Sequence, residues 1–290
     1  MKLKRPELAQ STYDSYRKSA DKFLTFLGEG ANGDIAMIRK HRIAEFRNHL
    51  LEKVQPQTCN LDLKFLKMIF KQAKQDGYVT ESPAEGVELI RRIKTKARRP
   101  FTVEELRLVI EAADSEWRSM TLFGLYTGQR LGDLARLTWA NIDLDNKPSV
   151  IRLSTKKTHR DVVVPIAPAL LAHIMGMQIG AAADPIHPRL SRKRSNHLSN
   201  EFTDLLAQVD LRKSRRGHIK TGGRRDVARK PSELSFHSLR VTATSLLKDA
   251  GVPQAVVEEL IGHSSAEMSR VYTRVGLEAL AKATSALPAL

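Results

Sequence analysis

The sequence predicts a mainly α-helical protein with one small β-sheet, arranged as two domains. Three observations carry that reading. Apolar residues recur at helical spacing through most of the 290 residues. The period switches to a strand-like pattern in one place, at Ser149–Leu153 and Val162–Val164. A run of cations over 91–100 contains little that could fill a core, and it separates two helical stretches.

The first stretch reads as a helical domain over 1–90. Thr12 to Leu27 carries Tyr16, Phe23, Leu24 and Leu27 on one side, with Ser11 or Thr12 available as a cap. Gly28, Gly30, Asn32 and Gly33 then break the chain. A second helix is expected from His41 to Lys53, burying Ile43, Phe46, Leu50 and Leu51. A third starts at Pro56, where a proline suits the first turn, and carries Leu61, Phe65, Leu66, Ile69, Phe70 and Ala73 as far as Gly77. A short fourth helix is expected after Pro83. Cys59 is the one cysteine, so no disulfide or cysteine-based metal site forms within a chain, and it reads as a half-buried small residue.

The linker, 91–100, holds Arg91, Arg92, Lys94, Lys96, Arg98 and Arg99. It is either a solvated tether or one that lies along phosphates. The second domain, 101–290, opens with Thr102-Val103-Glu104-Glu105, a capping box. Helices are expected over 102–113, 117–126 and 130–137, then the two strands with Lys156, Lys157, Thr158 and His159 at their turn. Helices return over 167–177, 196–209, 238–250, 253–262 and 264–274, with a last apolar one from Gly276 to about Ala286. Residues 212–231 are rich in cations and glycine, among them Arg215, Arg216, Arg224 and Arg225, and read as a basic loop that orders on a polyanion or stays solvated.

Charge narrows the function class. With 48 Lys and Arg against 32 Asp and Glu the formal net charge is +16, which favours a polyanionic partner, nucleic acid first. Aromatic residues make up only 6%, which argues against a single-strand binder built on stacking. No signal peptide and no membrane-length apolar run is visible, so a cytoplasmic, nucleoid-associated protein is expected.

Four segments hold side chains suited to chemistry. They are Thr127-Gly128-Gln129-Arg130-Leu131-Gly132-Asp133, Lys157 in the hairpin, His237-Ser238-Leu239-Arg240, and Leu260-Ile261-Gly262-His263 with Tyr272 nine residues on. Each alone is ordinary: a surface arginine, an edge-protecting lysine, a helical His/Arg pair, a helix-end histidine, a core tyrosine. Together and in this order they resemble the tyrosine recombinase family, which includes lambda-type phage integrases, Cre and the Xer recombinases. The spacing of His263 and Tyr272 fits that family, as does Lys157 lying eight residues before Pro165. Three departures are small. Asp133 stands where Glu is commoner, Val241 where a second His is frequent, and the basic insertion before His237 is long.

The resemblance implies a helical, SAM-like core-binding domain followed by an α+β catalytic domain. It also implies the chemistry. Tyr272 would attack a DNA phosphodiester and form a 3′-phosphotyrosine. A free tyrosine ionises near pH 10, so about 0.1% is phenolate at neutrality, and the nucleophile needs cations and a proton acceptor. Arg130 and Arg240 suit the non-bridging phosphate oxygens. Lys157, preferred over Lys156 on its register before Pro165, would protonate the leaving 5′ oxygen. His237 would accept the tyrosine proton, and His263 would donate to the phosphate. Asp133 would orient a cation or a histidine of the site. No cofactor is expected: arginine and lysine supply the cations, and the phosphotyrosine keeps the bond energy, so neither metal nor ATP is required.

The implied partners are double-stranded recombination sites and three further copies of the chain. The four subunits would exchange strands through a Holliday junction, and DNA-bending or directionality proteins would assist. Leu277, Leu280, Ala281 and Leu287 form an apolar tail, expected to dock on a neighbouring subunit, with folding back on its own domain as the other reading. The first helix starts near residue 12, so the protein is either of the simpler kind or one whose arm-binding domain lies outside these 290 residues. Two rival readings stay open. A type IB topoisomerase-like enzyme shares the chemistry but reseals the same strand. A catalytically inactive architectural protein would bind DNA and not cut it.

Overall fold

A computed structural model describes residues 9–91, 98–156, 159–213, 232–262 and 277–288 of the protein. The described residues form two compact units, one ending at Arg91 and the other starting at Arg98.

The first unit is built on α1 (Gln10–Leu27), α2 (Lys40–Leu51) and α3 (Pro56–Gln75). Phe23, Phe46 and Phe70 meet at its centre, with ring centroids 5.0 and 6.4 Å from Phe23, in edge-on arrangements. Asp62 is the buried polar group of this core. It accepts hydrogen bonds from Ser19 Oγ at 2.5 Å and Lys22 Nζ at 2.6 Å, pinning α1 to α3. Asn60 exchanges two 2.8 Å bonds with the backbone of Ile90, so the segment leaving the unit is clasped to α3.

Several expectations need correction here. The cap of α1 is Ala9, with no side-chain bond, and Ser11 and Thr12 lie inside the helix. Leu61 is 66% exposed. The buried stripe of α3 runs through Cys59, Leu63, Leu66 and Phe70, and at about 100° per residue Leu61 falls on the opposite face. Cys59 is fully buried rather than half-buried. Pro83–Gly86 make a turn, with Val87 N bonded to Ala84 O at 3.2 Å, and no fourth helix forms.

The second unit starts with α4 (Val103–Ala112), and its capping box is present in full: Thr102 Oγ1 accepts from Glu105 N, and the Glu105 carboxylate accepts from Thr102 N. Asp114 caps α5 (Ser115–Thr127). The expected helix over 130–137 shrinks to the single turn α6 (Leu131–Leu134). Arg136 N and Leu137 N bond three residues back, and Thr138 is extended. The hairpin strands are β2 (Val150–Ser154) and β3 (Asp161–Pro165), antiparallel with Ile151 opposite Val164. A two-residue strand β1 (Ile142–Asp143), too short to show a period, adds to the other edge of β2.

α7 (Pro168–Met175), α8 (Pro188–Ser191), α9 (Ser195–Gln208), α10 (Phe236–Asp249), α11 (Gln254–Ile261) and α12 (Leu277–Ser285) complete the unit. The expected helix over 264–274 lies outside the described residues. α10 packs along α5 at Gly124, where a Cβ would stand 2.7 Å from Phe236 and 2.8 Å from Leu239. α12 packs on α11 and β3. Leu280, Ala283 and Leu287 enter the unit's own core, and the Tyr126 hydroxyl donates to the Pro288 carbonyl. In the single chain the described part of the tail packs on its own unit, against α11 and β3. Among the described residues no helix is long and apolar enough to cross a membrane.

One buried histidine makes the stability of this unit pH-dependent. His187 is wholly buried, bonded through Nε2 to Ser119 Oγ at 2.9 Å and edge-on to Phe123. Burial lowers its pKa to about 4, with nearby His173 adding to the effect. The unfolded chain binds that proton near pH 6.5, so the folded state loses stability as pH falls from there towards 4, by about 3 kcal/mol in all. Denaturant melts between pH 7 and 4 should show this slope, and His187→Gln should flatten it.

Candidate active site

The site is assembled around the end of α5. Thr127 Oγ1 bonds back to Phe123 O at 2.6 Å, and Gly128 closes the helix in the left-handed region at φ 62°. A glycine is required there on two counts, since a Cβ would also meet Ile261 Cδ1 at 2.2 Å. Gln129 is buried and its Nε2 donates to Thr127 O and to Leu260 O, both at 3.2 Å. The turn is thereby latched to the end of α11.

That geometry aims the Gly128 carbonyl at α10, where it accepts a 2.7 Å bond from Arg240 Nη1. Arg240 is 3% exposed. Burial, and then the charge of Arg130, lower its pKa to about 10, while Asp133 works in the opposite direction. That value is far above neutrality, so the guanidinium keeps its charge. Arg130 is half-buried and caps the start of α6 with extended backbone. A buried guanidinium held beside a second one marks a place prepared for an anion.

Asp133 is the acid of this cluster and is itself buried. Its Oδ1 accepts from Arg136 Nη2 at 2.6 Å and from the Lys156 amide at 3.1 Å. Asp133 Oδ2 has no hydrogen-bond partner among the described residues. The carboxylate therefore orients a cation, Arg136, and also holds the root of the hairpin turn. On the other side of that turn His159 adopts φ 48°, Arg160 N bonds to Thr155 Oγ1 at 3.2 Å, and Arg160 Nη2 reaches Glu259 of α11 at 2.7 Å.

The sequence-predicted residues divide as follows. Arg130, Asp133 and Arg240 come together. His237 is exposed in the first turn of α10, one turn ahead of Arg240. That helix begins two residues earlier than expected because Ser235 and Ser238 form a capping box. Lys157, His263 and Tyr272 lie outside the described residues, as do Arg92, Lys94, Lys96, Arg215, Arg216, Arg224 and Arg225. α11 ends on Gly262 at φ 73°, immediately before His263. Arg91 and Arg98 are exposed. Arg99 is partly exposed and held in ion pairs with Glu105 and Glu233. Sequence reading missed the structural parts played by Gln129, Arg136, Arg160 and Glu259. Only Gln129 left a signal, by standing between Gly128 and Arg130.

Comparison with known proteins agrees with this arrangement. The Phage integrase family matches residues 99–278, and the Phage integrase SAM-like domain matches residues 1–92. A tyrosine recombinase of Thermosipho africanus is 26% identical over 277 residues, covering 92% of this chain and 89% of its own. The tyrosine recombinase XerD of Staphylococcus aureus is 24% identical over 284 residues, covering 95% and 91%. Among solved structures, a lambda integrase dimer bound to a COC′ core site superposes with a TM-score of 0.71 at 18% identity, covering 95% of both chains. A lambda integrase tetramer bound to a Holliday junction gives 0.66 at 18%, covering 93% of this chain and 75% of that one.

The glycine turn yields a direct test. Gly128→Ala combines left-handed strain with a clash against Ile261, for a loss of about 1–3 kcal/mol of stability. It should also turn the carbonyl away from Arg240. Denaturation midpoints should fall and phosphate-analogue (vanadate) binding should weaken, whereas Gly132→Ala, whose Cβ would stand 2.9 Å from the Ser195 hydroxyl and 3.7 Å from Arg136 Nη1, should change binding little.

Proposed function

The chain belongs to the phage integrase family, and on that premise we propose that it is a site-specific DNA recombinase that cuts and rejoins DNA through a 3′-phosphotyrosine on Tyr272. The observation that carries the proposal is the buried Arg240 guanidinium, aimed by the Gly128 carbonyl and set beside Arg130. Such a pair suits a phosphodiester. Each guanidinium offers a planar fork to a non-bridging oxygen, in a setting with little water to compete.

The proposed cleavage step is a transesterification. The Tyr272 oxygen forms a bond to phosphorus as the bond to the 5′ oxygen breaks. The phenol proton passes to His237. Lys157 gives a proton to the departing 5′ oxygen, which leaves as a hydroxyl. Arg130, Arg240 and a hydrogen bond from His263 hold the charge that builds on the phosphate. Attack by the 5′ hydroxyl of a second duplex on the phosphotyrosine restores a phosphodiester and releases Tyr272. Two rounds, with a Holliday junction between them, exchange both strands.

Asp133 supports this by holding the hairpin that carries Lys157 at its Lys156 amide. The exposed Arg91 and Arg98, together with Arg92, Lys94, Lys96, Arg215, Arg216, Arg224 and Arg225, supply the phosphate contacts that bring DNA to the site. Strand exchange between two duplexes calls for four active subunits, so the working form is a homotetramer on DNA.

The test uses a binding site selected from random DNA and placed in a nicked duplex that loses its 5′ end after cleavage. Wild-type protein should become covalently attached to the 3′ phosphate, and Tyr272→Phe should not. Attachment by the Phe variant would remove Tyr272 from its role. Binding without attachment by wild type would favour an architectural protein, and resealing with no two-duplex product a topoisomerase-like enzyme.

A further inference from the structure

Arg98 and Arg99 stand side by side in the basic run, and the structure treats them oppositely. Arg98 is exposed and makes no ion pair among the described residues. Arg99 forks onto one carboxylate, with Nη1 2.7 Å and Nη2 2.6 Å from the two oxygens of Glu105. Its Nε lies 3.7 Å from Glu233 Oε2. Its backbone N–H donates to Glu233 O at 3.1 Å.

These partners converge on the start of α10. The Glu233 carbonyl also accepts from Ser238 Oγ at 3.3 Å, and Ser238 Oγ accepts from Ser235 N at 3.1 Å in the α10 capping box. Two residues after Arg99, the Phe101 amide donates to Thr242 Oγ1 at 2.9 Å in a buried bond. Glu105 in turn caps α4 through Thr102 N at 2.9 Å. One guanidinium thus joins the end of the interdomain run, the start of α4 and the strand of chain that enters α10. Between Ser238 and Thr242 lies Arg240, and His237 precedes them.

We propose that Arg99 is a positioning residue for DNA cleavage: with Glu105 and Glu233 it fixes the first turn of α10, and so the placement of His237 and Arg240. It does not bind phosphate. Its fork is already taken up by the two Glu105 oxygens, with Glu233 Oε2 3.7 Å from Nε, so its donors are committed to carboxylates and not to a phosphate. The hydrogen bond from Arg99 holds the Glu105 carboxyl below its ordinary range. Lysine is a poor replacement, because a point charge cannot span both Glu105 oxygens and Glu233 at once. The proposal rests on the recombinase reading given above.

Three measurements test it: covalent attachment in a single turnover at saturating DNA, the salt dependence of DNA binding, and amide hydrogen exchange. For Arg99→Ala, attachment should slow by about 10-fold, a modest misplacement of reacting groups. Its salt slope should match wild type, and exchange should quicken at the 236–240 amides. Arg99→Lys should recover only part of the rate. Glu233→Gln should act in the same direction, and adding it to Arg99→Ala should cost little more, since both break one unit. Arg98→Ala should instead lower the salt slope by about 1. A slope lowered by Arg99→Ala, with attachment and exchange unchanged, would make Arg99 a phosphate contact and overturn the proposal. If melting shows that Arg99→Ala does not fold, Arg99→Lys and Glu233→Gln decide by the same readouts. Failure of wild type to attach at all would count against the recombinase reading, and the exchange and salt-slope arms would still decide the clamp.

Discussion

The hydrogen bond from Arg240 to the Gly128 carbonyl is the joint on which the second unit depends. An ionised guanidinium taken out of water costs several kcal/mol unless it is paired and bonded. Here a charge-assisted bond to the Gly128 carbonyl and the nearby Asp133 charge offset part of that cost, and Arg130 adds to it. The rest of the local structure follows from keeping Arg240 in place. Gly128 must be left-handed to turn its carbonyl, and Gly124 must lack a side chain for α10 to approach α5. Gln129 must tie the turn to α11, which ends on Gly262.

Asp133 extends the same logic to the hairpin. Its carboxylate reads in the sequence as a group that orients a cation or histidine of the site; among the described residues it holds Arg136, which the sequence reading did not single out. Its bond to the Lys156 amide is a backbone contact, which no side-chain pattern encodes. The hairpin turn is therefore held at two roots, by Asp133 on one side and by Glu259 through Arg160 on the other. Both anchors belong to helices that also frame Arg240. Arg240 and the described root of the hairpin thus share one scaffold, so a shift in α6 or α11 would move both.

What was legible in the sequence was local. The helices of the first unit, the Thr102 capping box, the two hairpin strands and the clustering of Arg130, Asp133 and Arg240 rest on periodicity, capping and ordered motifs. What was not legible depends on partners far along the chain. Leu61 has the right residue type for a core and the wrong angle. Pro83–Gly86 is short enough that one bond three residues back satisfies it as a turn. The apolar tail has a face that could meet a neighbour or its own unit, and its packing on α11 and β3 in the single chain is a long-range contact that periodicity does not encode. Arg99 belongs by composition to the basic run, and its carboxylates sit six and 134 residues away.

The distribution of charge gives that last point its weight. The runs 91–99 and 214–231 hold thirteen of the 48 basic residues and one of the 32 acidic ones, so twelve of the sixteen surplus charges lie in them. The remainder of the chain is nearly balanced, and its cations are often spent on ion pairs such as Arg189 with Asp114, Lys193 with Glu201 and Lys22 with Asp62. The surplus positive charge is therefore concentrated in two short segments. The Arg99 amide bonded to the Glu233 carbonyl brings the end of the first run beside the end of the second. Arg212 bonded to the Leu234 carbonyl brings the start of the second run to the same place. Both basic segments are thus rooted next to the first turn of α10, which carries His237 and leads to Arg240. The Arg99 clamp thus stands where the described end of each basic segment meets the start of α10.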